Sequence, residues 1–79
     1  MNAEEVKQLL DAGLPDCEIQ VTGGNGHFDI VAVGDQFSGL NTLRRQQTVY
    51  AALGDAISSG RIHAVKIRAL HAGENDAGL

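Results

Sequence analysis

Apolar positions recur at helical spacing at the start of the chain. Over residues 3–13, Val6, Leu9, Leu10 and Gly13 fall on one face, with Glu4, Glu5, Lys7, Gln8 and Asp11 elsewhere. Asn2 is placed to cap that helix, two acids sit in its first turn, and Gly13 followed by Pro15 stops it. The period then changes to two. Cys17 to Thr22 alternates apolar and polar residues, as a half-buried strand does. Gly23-Gly24-Asn25-Gly26 reads as a turn, and Phe28 to Val33 is apolar nearly throughout, as in a central strand. The two strands predict an antiparallel hairpin. Residues 34–40 form a connecting loop with Phe37 and Leu40 against the core. Asn41 or Thr42 caps a second helix running to about Ser58. Its expected inner stripe is Leu43, Tyr50, Leu53 and Ile57, widened by Val49 and Ala56. Ser59-Gly60 ends it, and Ile62 to Ala69 is a third strand with His63 at its beginning.

The order is α-β-β-α-β, an α+β class. A helix joining the second and third strands lets them run parallel, so the sheet is three-stranded and mixed, with both helices on one face. One domain spans residues 1–79, with a core over about 3–70 and a polar, Gly-rich tail over 71–79 that is expected to fray.

Composition narrows the function classes. A chain of 79 residues buries one small core, which favours a surface or edge site over a deep cleft. The single cysteine, Cys17, excludes an intrachain disulfide and suits a reducing compartment. The acidic N-terminus and the lack of a long apolar run predict a cytoplasmic protein without a membrane anchor. The net charge of −4 is unevenly spread: −6 over residues 1–39, +4 over 40–70 and −2 over 71–79. Such a dipolar domain suits an oriented encounter with a charged partner.

The topology places the histidines. His27 precedes the second strand and His63 begins the third. Parallel neighbours start at the same end, about 4.8 Å apart, so the two imidazoles are expected to converge at one sheet edge near the hairpin tip. His71 lies up to roughly 26 Å away along an extended strand, and Cys17 on the order of 20 Å away at the far end of the hairpin. Two convergent imidazoles are metal-ligand material, but a structural zinc takes four ligands and a catalytic zinc three from protein. The remaining ligands would have to come from outside. The competing reading of His63 is a strand-end histidine hydrogen-bonded to backbone.

Several stretches together carry a resemblance. Arg61-Ile62-His63-Ala64-Val65-Lys66-Ile67 resembles the I-H-A-[LV]-x-I signature of BolA-like proteins. Phe37-Ser38-Gly39-Leu40 and the run from Leu43 to Leu53 are similar to that family's F-x-G and following basic helix with V-Y-x-x-L. His27-Phe28 resembles the H-F at the start of its second strand, and Gln46-Gln47-Thr48-Val49-Tyr50 resembles the bacterial subgroup known as IbaG (YrbA). The resemblance implies a fold similar to the class II KH domain and a role in stress response. It also implies a partner, a monothiol glutaredoxin with bound glutathione, and a [2Fe-2S] cluster shared between the two. On that reading His63 and His27 are this chain's cluster ligands, and sulfur comes from the partner and glutathione. Neutral imidazole in place of thiolate lowers the cluster's negative charge and tends to raise its potential. Arg44, Arg45, Arg61 and Lys66 are candidates for a positive rim facing an acidic partner or the glutathione carboxylates. A weak homodimer is compatible with the same reading. Where many members continue with a T-P-x-x-W-like segment, this chain reads Leu70-His71-Ala72-Gly73-Glu74-Asn75.

Two other classes compete. A nucleic-acid-binding regulator is suggested by the KH-like fold and by Arg44-Arg45 at the start of the second helix. Against it stand the negative charge, the scarcity of aromatic residues and the lack of a Gly-x-x-Gly loop between helices. The Gly-rich turn joins strand to strand and lacks the Gly-Lys-Ser/Thr of a phosphate loop. No enzyme is expected, because Ser38, Thr48, Ser58 and Ser59 have no convergent histidine.

Overall fold

The computed structural model describes residues 1–71. Helix α1 spans Ala3–Gly13 and opens with a reciprocal capping box. The Glu5 amide donates to Asn2 Oδ1 at 2.8 Å, and the Asn2 amide donates to Glu5 Oε1 at 2.9 Å. Strands β1 (Glu18–Gly24) and β2 (His27–Val33) pair antiparallel, from Glu18 against Val33 to Gly24 against His27. The turn is tighter than the four residues expected. Only Asn25 and Gly26 lie outside the strands, with φ of 56° and 82°. Positive φ at both positions is the geometry that follows the right-handed twist of the flanking strands.

A one-turn 3₁₀ helix, Asp35–Phe37, buries Phe37 completely. Helix α2 runs over Thr42–Leu53, capped by Asn41 Oδ1, which accepts from the Arg44 amide at 2.9 Å. It stops well short of Ser58. Gly54, at φ 50°, turns the chain into a separate short helix, α3 (Asp55–Ser58). Strand β3 (Ala64–Leu70) then pairs parallel to β2, with His27 against Ala64 and Val33 against Leu70. The strand order is β1-β2-β3, and the fold is the expected α+β arrangement around a mixed sheet.

The core lies between one sheet face and the helices. Ile19 from β1, Phe28, Ile30 and Ala32 from β2, and Ala69 from β3 meet Val6 and Leu10 of α1 and Val49 and Leu53 of α2. Gln20, Thr22, Asp29, Lys66 and Arg68 alternate with these residues and are exposed. Gly13 is itself exposed, yet an added Cβ there would lie 2.9 Å from Ala52 Cβ, so it lets α1 and α2 approach closely.

The inner stripe of α2 differs from the expected one. Leu43 is 64 % exposed and Tyr50 is 42 % exposed, while Val49, Leu53 and Ala56 are buried. The break at Gly54 removes the continuous helix on which the expected stripe was drawn. The helix is rotated so that its buried line runs through Val49 and Leu53. Of the tail expected to fray, His71 is described and half-buried, and the rest lies outside the described residues.

Candidate metal-ligand pair

His27 is the first residue of β2, and His63 immediately precedes β3. The register sets them side by side, because His27 aligns with Ala64, the residue after His63. The imidazole centroids are 6.4 Å apart and the ring planes are inclined by 41°. Both side chains are exposed. The expected convergence at one end of the sheet is therefore present.

The hairpin tip holds the pair in place. The Gly26 carbonyl accepts from the His63 amide at 2.7 Å and from the Ala64 amide at 3.0 Å. Gly26 is buried beneath the His63 ring, where an added Cβ would overlap Cδ2. The competing description of His63 as a strand-end residue bonded to backbone is thus correct for its amide. That bond uses the main chain and leaves the imidazole exposed.

A shallow depression of about 170 Å³ opens beside the pair, lined by His27, Phe28, Asp29, Ala64, Val65 and Lys66. Among the described residues, no group of three or more His, Cys, Asp or Glu side chains is placed to hold a metal ion. A metal–imidazole bond of about 2.0–2.1 Å puts each ring centre roughly 3 Å from the ion. The 6.4 Å between the ring centres is about twice that distance. The donor set is two imidazole nitrogens, which suits part of a site completed by other ligands and not a closed one.

The other candidates fall elsewhere. Cys17 precedes β1 and packs against Gly34, where an added Cβ would lie 2.6 Å from its sulfur; Gln36 Nε2 donates to that sulfur at 2.8 Å. Both Cys17 and His71 lie at the opposite end of the sheet from the histidine pair, as the register requires. Arg45 Nε donates to the Leu40 carbonyl and Nη1 to the Ala69 carbonyl, both at 2.9 Å. It ties the start of α2 to the end of β3. Arg44, Arg61 and Lys66 are exposed. The hydroxyls of Thr48, Ser58 and Ser59 donate to the Arg44, Asp55 and Ala56 carbonyls of their own helical segments. No helix among the described residues is long and apolar enough to cross a membrane.

Comparison with known proteins places the sequence and the fold. A protein from the rpoN-murA intergenic region of Acinetobacter guillouiae is 47 % identical over 70 residues, covering 89 % of this chain and 84 % of its own length. The acid stress protein IbaG of Escherichia coli K12 is 41 % identical over 69 residues, covering 87 % and 82 %. The structure of a bolA protein homologue from Coxiella burnetii superposes with a TM-score of 0.83 at 29 % identity, covering 91 % of this chain and 92 % of that one. The family model described as BolA-like protein matches residues 7–74, a span that holds the hairpin, the histidine pair and all three strands. With the fold, the sequence and the family model in agreement, the chain belongs to the BolA-like protein family.

Proposed function

We propose that this chain is a non-enzymatic iron–sulfur adaptor. It pairs with a monothiol glutaredoxin and glutathione and holds a shared [2Fe-2S] cluster for trafficking or for iron and redox sensing. The observation that carries this reading is the exposed pair His27 and His63, 6.4 Å apart at one end of the sheet, with too few further donors among the described residues to close a site. An exposed half-site of imidazole nitrogens fits a cluster whose sulfur ligands a partner brings. His63 and His27 would hold the cluster's histidine side, and the cluster would supply electron-transfer and iron–sulfur-donor chemistry when bound. Protonation removes an imidazole from a metal, so release responds to acid. The name of the Escherichia coli relative, an acid stress protein, is consistent with that setting.

The test is anaerobic cluster reconstitution with a monothiol glutaredoxin and glutathione, with and without this chain. Visible absorption and circular dichroism that change when the chain is added, with co-elution on gel filtration, support the proposal. Identical spectra and separate elution contradict it.

A further inference from the structure

The outer edge of β3 and the exposed Tyr50 of α2 meet in one groove. Strand β3 is an outer strand of the sheet. At one end the Ala64 amide donates to Gly26, and at the other the Leu70 carbonyl accepts from the Gly34 amide at 2.9 Å. In a parallel ladder alternate residues bond to the neighbouring strand. Ala64, Lys66, Arg68 and Leu70 therefore turn their backbone toward β2, while Val65, Ile67 and Ala69 turn theirs outward. The Ala69 carbonyl is taken by Arg45. Val65 and Ile67 present their N–H and C=O groups to an edge that no strand among the described residues covers.

Above that edge lies a groove of about 400 Å³, lined by Gln46 and Tyr50 of α2 and by Val65, Lys66, Ile67 and Arg68 of β3. Its floor is apolar and half-buried, and Tyr50 is one of two exposed large apolar side chains among the described residues. Among the described residues that line it, Lys66 brings an exposed cation and none brings a carboxylate.

We propose that this groove takes an extended, acidic segment of a partner protein as a fourth strand, paired to β3 at Val65 and Ile67. Main-chain bonds to a sheet edge supply affinity in this mode, and pockets for alternate side chains supply selectivity. Alternate apolar residues of the segment would pack on Tyr50, Val65 and Ile67, and acidic ones would face Lys66. A second copy of this chain is a poorer occupant, because pairing β3 with itself brings Lys66 near the same cation of the other copy. A nucleic acid does not match the alternating donors and acceptors of the edge, and Tyr50 is the lone aromatic side chain in the groove. The inference needs neither histidine and no metal, so it stands apart from the cluster reading.

The test titrates the ¹⁵N-labelled chain, without glutaredoxin or iron, with a synthetic peptide of alternating glutamate and valine. Matched peptides carry lysine for glutamate, or N-methylated backbone on the edge-facing side. The expected result is slowed amide exchange at Val65 and Ile67, with shifts at Gln46 and Tyr50. Affinity should fall about tenfold with Lys66→Glu and disappear with the N-methylated peptide. Any one of four results overturns the proposal: no binding of the acidic peptide, equal binding of the lysine or N-methylated peptide, tighter occupation of the same amides by a single-stranded oligonucleotide, or their concentration-dependent protection without peptide.

Discussion

The His63 ring rests on Gly26 in the space that any larger residue's Cβ would fill, while the Gly26 carbonyl holds the His63 amide at 2.7 Å. One glycine therefore serves the hairpin and the site together. Its φ of 82° makes the tight turn, and its missing side chain lets the imidazole lie against the tip.

Gly26→Ala separates these two roles from ordinary packing. Left-handed backbone costs a non-glycine residue roughly 1–2 kcal/mol, and the new methyl pushes the ring away. Urea unfolding should show the loss of stability, and the His63 ring resonances should move. Gly26→Asn should recover part of the stability, since Asn tolerates this backbone, without restoring the ring position. Unchanged His63 resonances in both variants would contradict the contact.

The rotation of α2 predicts an asymmetry between two leucines. Leu53 is 1 % exposed, and truncation to Ala should cost about 2–5 kcal/mol. Leu43 is 64 % exposed, and Leu43→Ala should change stability by no more than about 0.5 kcal/mol. Equal losses on chemical denaturation would put Leu43 back in the core.

Both long helices begin at an asparagine whose side chain accepts a bond from the amide three residues on. Asn2→Ala and Asn41→Ala should each cost about 1 kcal/mol. The caps belong to different helices, so the losses should add in the double variant. A double variant no less stable than either single one would show that the caps do not act independently.

Much of this architecture was legible because each element announces itself locally. Asn2 and Asn41 mark helix starts, the alternation after Cys17 marks a strand, and a strand–helix–strand order dictates a parallel pair. The histidine pair followed from that topology alone, since two strand starts side by side bring His27 and His63 together. What was not legible depended on tertiary geometry. Leu43 and Tyr50 share a helical face with Leu53 inside α2, and only the packing of that helix on the sheet decides that the Val49 side of the face turns inward. Arg45 reads as one of two adjacent surface cations. Its bonds to Leu40 and Ala69 depend on where β3 ends, which no local pattern records. The contact between Gly26 and the His63 ring is likewise invisible along the chain, because the residues are brought together only by strand pairing.

In the proposed adaptor, His63 ligates a cluster shared with a glutaredoxin. The most direct measurement is pulsed electron paramagnetic resonance on the reduced, reconstituted complex, with ¹⁵N-histidine incorporated only in this chain. If His63 and His27 are ligands, strong ¹⁵N coupling to the cluster is expected, with the His63 component lost in His63→Ala and the remaining spectrum altered in His27→Ala. A reduced cluster in a stable complex without any coupling from this chain's histidines would contradict it.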